Sequence, residues 1–331
     1  MWKIGLAGHS FFAYDTSSNA KEVPRMKVAV TGGAGFIGSH LVDELVESGH
    51  EVHVIDNLSS GYREYVHPKA YFHLLDIREE SCRAWIHKEK PALFYHLAAQ
   101  ADVQLSLLHP YVDGDVNITG TVKLLKTCAE SGVQKFVFAS TSGVYGELQK
   151  ERVTETDPVQ PISFYGLSKC TAESYIRLFY MLFGLPFTIL RFGNVYGPRQ
   201  TPKGEGGVVA LFVKRMKEGL PLTVYGDGEQ TRDFIYVNDV VTALTASASK
   251  GNQEIYHVST GTHTSVNDLV RHLAKVHSQP VEILSRPARP GDIRHSCLSA
   301  LKAEKELEWK AGTALEVGLA TTYHSYPVSL Q

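Results

Sequence analysis

The chain has 331 residues, 43% of them hydrophobic and 21% charged, with a formal net charge of -2. That length supports one large or two ordinary domains with a substantial core, and the near-neutral charge excludes nucleic-acid or anionic-membrane binding through bulk electrostatics. Four scattered cysteines (Cys82, Cys128, Cys170, Cys297) form no CxxC pair, so neither a metal site nor a disulfide framework is expected and a cytoplasmic location is; no apolar run nears the roughly 20 residues that span a bilayer.

Residues 1–25 have one early lysine and a broken apolar stretch without a small-residue cleavage site, so they are read as a poorly ordered extension, or as added ahead of a natural start at Met26, rather than as a secretory signal. From Met26 onward, apolar strand-like runs alternate with helical patterns. "KVAVT" leads into "FIGSHLVDELVESG", whose Ile37, Leu41, Leu45 and Val46 share one helical face. "EVHVID", "YFHLL", "ALFYHLA", "KFVFAS" and "FTILRF" follow as further buried strands, with "NITGTVKLLKTCAESG" and "SKCTAESYIRLFYMLFG" as helices between them. This alternation predicts an α/β fold, a Rossmann-type doubly wound parallel sheet with helices on both faces. Past Asn194 the pattern loosens, with Gly and Pro gathered in "GNVYGPRQTPKGEGG" and "SRPARPGD". Residues 26–193 are expected to form the dinucleotide-binding domain, with a later return of the chain near 230–250. Residues 194–331 would form mainly a smaller α/β substrate lobe.

"TGGAGFIG" places Gly32, Gly35 and Gly38 three residues apart where the first strand turns into the first helix. Glycines there allow a tight turn and close approach to a pyrophosphate, which the helix N-terminal amides, around Phe36 and Ile37, would face. A plain strand-to-helix turn would also explain the glycines, but strand, helix and a following acidic residue agree on a cofactor. Asp56, followed by Asn57, ends the second strand; its carboxylate can accept from both adenosine ribose hydroxyls and would repel a 2'-phosphate, favouring NAD over NADP. Asp76, with Ile77 beside it, is placed either to meet the adenine edge or to cap a helix. At the end of the fourth strand Leu97, Ala98 and Ala99 leave room for the dinucleotide. His40, His96 and His109 share no metal spacing and are read as structural.

"SFYGLSK" sets Tyr165 four residues before Lys169. On a helix the two share a face. A phenol with a pKa near about 10 is a poor base, but an adjacent ammonium and a positive nicotinamide ring favour the phenolate. Next to a cofactor site, proton transfer is favoured over a solvated helix surface.

With "HLAAQ", "FASTSGVYG" and "YGLSK", the glycine spacing resembles the extended short-chain dehydrogenase/reductase superfamily. "RFGNVYGPRQTPKGEGGVVALF", "VYGDGEQTRDFIYVNDV" and "RPGDIRHS" are similar to the nucleotide-sugar epimerases within it, from Met26 to about Tyr323. The resemblance implies that Tyr165 is the general base and acid and that Lys169 holds the nicotinamide ribose. Thr141, with Ser140 as the weaker choice, would meet the sugar's reacting oxygen. Asn194, Arg232, Arg289 and Asp292 would bind the nucleotide diphosphate, with Val208 and Ser296 also on the substrate side. The implied reaction oxidises C4 of a UDP-sugar, lets the 4-keto sugar turn, and reduces it from the other face. A homodimer through the "DVNITGTVKLLKTCAESG" helix and the Tyr165 helix is also implied, although packing on the sheet would equally use their apolar faces.

Sister dehydratases and decarboxylases carry extra acid-base residues where Ser142 and Gly143 stand here, which favours a plain 4-epimerase. The alternatives are epimerisation of another UDP-sugar such as the glucuronate, one of the sister reactions, or a non-catalytic dinucleotide sensor. Phe192, Gly206 and Gly207 depart from the family pattern and leave the exact sugar open. Ser296 stands where a bulky tyrosine would exclude an N-acetyl group, so UDP-N-acetylglucosamine is expected as a second substrate; local packing would equally account for a small residue.

Overall fold

Short β-branched and aromatic runs alternate with longer amphipathic ones, and each type folds as its period dictates. The structure, a computed structural model, describes residues 25–147, 150–202, 207–288 and 293–326. In chain order come β1 (Lys27–Thr31), α1 (Phe36–Glu47), β2 (Glu51–Asp56), β3 (Tyr71–Leu74), α2 (Glu80–Glu89) and β4 (Leu93–His96). Then follow α3 (Val103–Leu108), α4 (Pro110–Gly114), a π-helical segment (Asp115–Gly120), α5 (Thr121–Ser131), β5 (Lys135–Thr141), α6 (Phe164–Phe183) and β6 (Phe187–Phe192). The remainder comprises β7 (Asn194–Tyr196), α7 (Val208–Lys217), β8 (Leu222–Tyr225), β9 (Thr231–Arg232), β10 (Phe234–Tyr236) and α8 (Val237–Ala246). It ends with β11 (Glu254–Val258), β12 (Thr264–Ser265), α9 (Val266–His277), β13 (Ile283–Arg286), α10 (Leu301–Glu306) and α11 (Leu315–Ser325).

Seven strands form one parallel sheet in the order β3-β2-β1-β4-β5-β6-β11. The order reverses between β1 and β4, and ligands of such sheets bind at that switch, beyond the carboxyl ends of the strands. Alternate residues of β1 serve opposite faces. Val28 and Val30 join Leu41, Val240 and Leu244 in one core, while Ala29 joins Leu124, Ile176 and Phe179 in the other. A third core, around Phe212, Leu222, Phe234, Leu269 and Leu319, belongs to the second lobe. Phe36 and Ile37, in the first turn of α1, pack against that third core as well, so the lobes meet over the β1–α1 turn.

One expectation fails in detail. "YFHLL" is not a buried strand: β3 is the sheet's edge, and Tyr71 and Leu74 are 54% and 65% exposed. An edge strand has no neighbour on one side to complete its burial.

Candidate functional site

Glycines shape the turn between β1 and α1 in unequal ways. Gly32 has φ +71°, and a Cβ there would lie 2.6 Å from the Ala98 amide nitrogen. A Cβ on Gly38 would lie 2.1 Å from Gly32 O. Both are demanded by the chain's own backbone. Gly35 differs: its Cβ would touch only Gly32 O, at 3.2 Å, and it caps α1 without any side-chain hydrogen bond. The first-turn amides of a helix lack intrahelical acceptors. The turn is thus an open cradle whose polarity suits a diphosphate.

Asp56 closes one side of the cradle. Its Oδ2 accepts from Ala34 N at 3.0 Å and its Oδ1 from Leu58 N at 2.8 Å. Burial pushes its carboxyl up, and the two amides oppose that. Each oxygen keeps capacity for a further donor, as a ribose hydroxyl would need. Asp76 is otherwise engaged: it accepts from Arg78 Nε and Nη2 at 2.9 and 2.7 Å and from Asn57 Nδ2 at 2.9 Å. The Arg78 guanidinium holds that carboxyl far below its usual range. Nor does Asp76 cap a helix, since the N-cap of α2 is Glu79. Ile77 is buried and Asn57 exposed. Leu97 N donates to Thr31 O at 3.1 Å and Ala98 N lies 3.3 Å from Thr31 Oγ1, which draws the Leu97–Ala99 segment alongside Gly32.

His96 lies behind this seam, between Thr31 Oγ1 (2.7 Å) and Thr121 Oγ1 (2.9 Å), and burial keeps it neutral. His40 faces Pro198 O at 2.9 Å, and His109 is exposed in the α3–α4 link. Among the described residues no group of His, Cys, Asp and Glu is arranged to hold a metal.

Helix α6 begins at a serine cap, with Ser163 Oγ accepting from Gly166 N at 3.0 Å. Tyr165 and Lys169 follow on its buried face, 6% and 3% exposed. Lys169 Nζ donates to Ala139 O at 2.9 Å and stands 4.6 Å from the Phe138 ring centre. Gly166 permits close seating: a Cβ there would be 2.5 Å from Gly143 O. The first turn of α6 therefore rests directly on the turn after Thr141. Thr141 Oγ1 accepts from Gly143 N at 3.0 Å, whereas Ser140 Oγ is committed to Glu173 Oε1 at 2.6 Å. The segments that carry Tyr165, Lys169 and Thr141 meet here; Ser140 points away into the protein.

On the second-lobe side, Asn194 N donates to Asp233 O at 2.7 Å. Thr231 O accepts from Arg232 Nη1 at 2.9 Å and from Ser296 N at 3.2 Å, so Asn194, Arg232 and Ser296 line one seam. Val208 opens α7 and packs on the second-lobe core, and Phe192 is buried in the first core. Arg289, Asp292 and Gly206 lie outside the described residues.

Residues 28–259 match the NAD dependent epimerase/dehydratase family. The chain belongs to that family. The UDP-glucose 4-epimerase of Mycolicibacterium smegmatis is 39% identical over 304 residues, which cover 90% of this chain and 97% of the relative. Among solved structures, the UDP-glucose 4-epimerase of Thermotoga maritima with UDP-glucose is 43% identical, with a TM-score of 0.89 over 91% of this chain and 98% of that one. The Thermus thermophilus UDP-glucose 4-epimerase in complex with NAD is 40% identical, with a TM-score of 0.87 and the same coverage.

For a member of the NAD-dependent epimerase/dehydratase family, several supporting residues of this chain escape a motif reading. Asn117, in the π-helical segment, donates to Gln100 O at 2.9 Å and to Ser168 Oγ at 3.0 Å, tying the strand-end loop to α6. π segments concentrate at functional sites. Asp233, 1% exposed, gathers Thr260 N, Thr260 Oγ1 and Gly261 N at 2.8–2.9 Å. Arg191 and Glu173 form a buried ion pair. A charge inside a strand as apolar as "FTILRF" was the available signal, since such a charge demands a partner.

Proposed function

We propose that the protein is an NAD-dependent 4-epimerase of a UDP-hexose, interconverting UDP-glucose and UDP-galactose. The observation that carries this reading is the seating of α6 on the turn after β5. That seating sets the first turn of α6 on Gly143, two residues after Thr141, and Lys169 on Ala139 of β5, and Ser142 and Gly143 in the turn carry no acid-base group. Bound NAD supplies the oxidation of the sugar carbon and the matching reduction. Gly32, Gly35, Gly38 and the first-turn amides take its diphosphate, and Asp56 takes its adenosine ribose. Tyr165 accepts the proton of the C4 hydroxyl and returns it after the sugar has turned; Lys169 holds the nicotinamide ribose beside it. Thr141 orients the reacting oxygen. Ser142 and Gly143 have no group that moves a proton from C5 or C6, so the ketone is reduced rather than dehydrated or decarboxylated.

The nucleotide diphosphate falls to Asn194 and Arg232, with Arg289 and Asp292 assigned beside them, and the small Ser296 admits an N-acetyl group. Residues 26–193, with the later return of the chain, hold NAD, and 194–331 mainly hold the UDP-sugar. Two copies pair through α5 and α6, and the outer face of α6 leaves Leu178, Met181, Leu182 and Phe183 at 46–77% exposed. Four unpaired thiols support a reducing, cytoplasmic setting.

The test is incubation of the purified protein with UDP-glucose and no added cofactor, read by NMR at the anomeric proton. UDP-galactose should form, and Tyr165→Phe should keep its NAD while turnover falls roughly 100- to 10,000-fold. No product from NAD-replete protein, or full activity in Tyr165→Phe, would overturn the reading.

A further inference from the structure

Behind the reacting groups lies a charged network that the reaction itself does not use. Glu173 on α6 and Arg191 on β6 are each 3% exposed. Arg191 Nε and Nη2 donate to Glu173 Oε1 and Oε2 at 2.9 and 2.5 Å, and Arg191 Nη1 donates to the Tyr145 hydroxyl at 2.5 Å. Glu173 Oε1 also accepts from Ser140 Oγ at 2.6 Å. The Tyr145 oxygen continues to His257 Nε2 at 2.6 Å, and His257 Nδ1 faces Ser299 O at 3.0 Å. Well-packed apolar residues would stabilise such an interior at least as well as a buried ion pair. Its placement therefore calls for a reason other than stability.

That reason is in the spacing. Tyr165, Lys169 and Glu173 follow one another at four-residue steps along the buried side of α6. Lys169 binds Ala139 O, and Glu173 binds the side chain of the next residue of the same strand, Ser140; Thr141 comes immediately after. Two successive rungs of β5 are thus fastened to two successive turns of α6. Arg191, from the neighbouring strand, locks the carboxylate that makes the second fastening. The buried face of α6 and the Asn117–Ser168 hydrogen bond already hold the helix, and the second fastening adds a restraint on its roll at the level of Thr141. A roll of roughly 10° moves a group at the ~5–6 Å side-chain radius of a helix by about 1 Å.

We propose that the Glu173–Arg191 pair is a positioning device that fixes the roll of α6 over β5, and with it the placement of the Tyr165 hydroxyl against Thr141 and Lys169. The inference rests on the assignment of Tyr165 as the proton-transfer residue.

The experiment compares NAD-loaded wild type with Glu173→Leu/Arg191→Met, which keeps the volume and removes the fastening, and with Ser140→Ala, which removes one hydrogen bond. Each is assayed for kcat and KM. The titration midpoint of the Tyr165 phenol is also read, as the phenolate absorbance difference between each protein and its own Tyr165→Phe counterpart. The double variant should fold, carry NAD and keep its KM, with kcat reduced roughly 10- to 100-fold. Its phenol should titrate at higher pH than in wild type. Ser140→Ala should move both readouts the same way, with kcat down roughly fivefold. A folded double variant with wild-type kcat and an unmoved phenol would reduce the pair to packing and end the proposal. Should the double variant not fold, Ser140→Ala decides by the same two readouts. Wild-type turnover of UDP-glucose tests the function independently, and the phenol titration needs no substrate, so failure of one does not mask the other.

Discussion

Alanine at Gly35 and alanine at Gly38 separate what the fold needs from what the dinucleotide needs. At Gly38 the new methyl would lie 2.1, 2.8 and 2.9 Å from Gly32 O, Gly32 C and Gly33 Cα, all backbone atoms that no side-chain rotation can move. Overpacking of this kind costs about 1–3 kcal/mol, so Gly38→Ala should melt well below wild type even when stripped of NAD. At Gly35 the methyl meets only Gly32 O at 3.2 Å, and the backbone (φ -83°, ψ -176°) is one that alanine adopts. Its cost to the NAD-free fold is that of a poorer cap, about 1 kcal/mol or less. If the pyrophosphate passes over this residue, the same methyl intrudes on the ligand, and about 1–3 kcal/mol of overpacking weakens NAD binding roughly 5- to 150-fold. Thermal melts of the stripped proteins and NAD titration by calorimetry measure the two effects separately. Gly35→Ala binding NAD as tightly as wild type would refute the placement of the diphosphate, and Gly38→Ala melting like wild type would refute the packing argument.

Ser296→Tyr should lower turnover of UDP-N-acetylglucosamine about 10-fold or more relative to UDP-glucose; equal loss of both, or no loss of the acetylated substrate, removes the assignment. Burial, and then the Arg191 charge, push His257 down to about 3. The unfolded chain, titrating near about 6.5, binds the extra proton between those values, so stability should drop as pH falls through that window by about 1.4 kcal/mol per unit from this residue. Urea unfolding at several pH values should show a shallower dependence in His257→Gln; parallel curves would count against it. Paired Met181→Asp and Leu182→Asp substitutions should give monomers by light scattering with NAD retained, and an unchanged mass would move the interface elsewhere.

What the sequence made readable was local. The positive φ of Gly32 and the contact of Gly38 with Gly32 O report backbone geometry within one turn, and the four-residue step from Tyr165 to Lys169 places both on one side of α6 whatever that helix packs against. The alternation of runs was enough for a doubly wound sheet. Much of what escaped depends on distant partners: Glu173 meets Arg191 18 residues away, and Tyr145 meets His257 112 residues away. Asn117 sits in "DVNITG", which reads as plain helix, yet the turn there widens to a π segment. The partner of Asp76 is near in sequence yet was not read from it: Arg78, two residues on, donates to its carboxylate. Tyr71 and Leu74 look like core by residue type, and only strand order reveals them as edge.

The path of the chain also limits how this protein can be cut or recombined. After building β7 to β10 it re-enters the first sheet through α8 and β11, and β11 is the strand that covers β6. A fragment ending at Gly193 would bare the hydrogen-bonding edge of β6 and strip Val240 and Leu244 from the first core. A chimaera that grafts a relative's specificity lobe must therefore carry that returning segment across as well, or inherit a half-finished sheet.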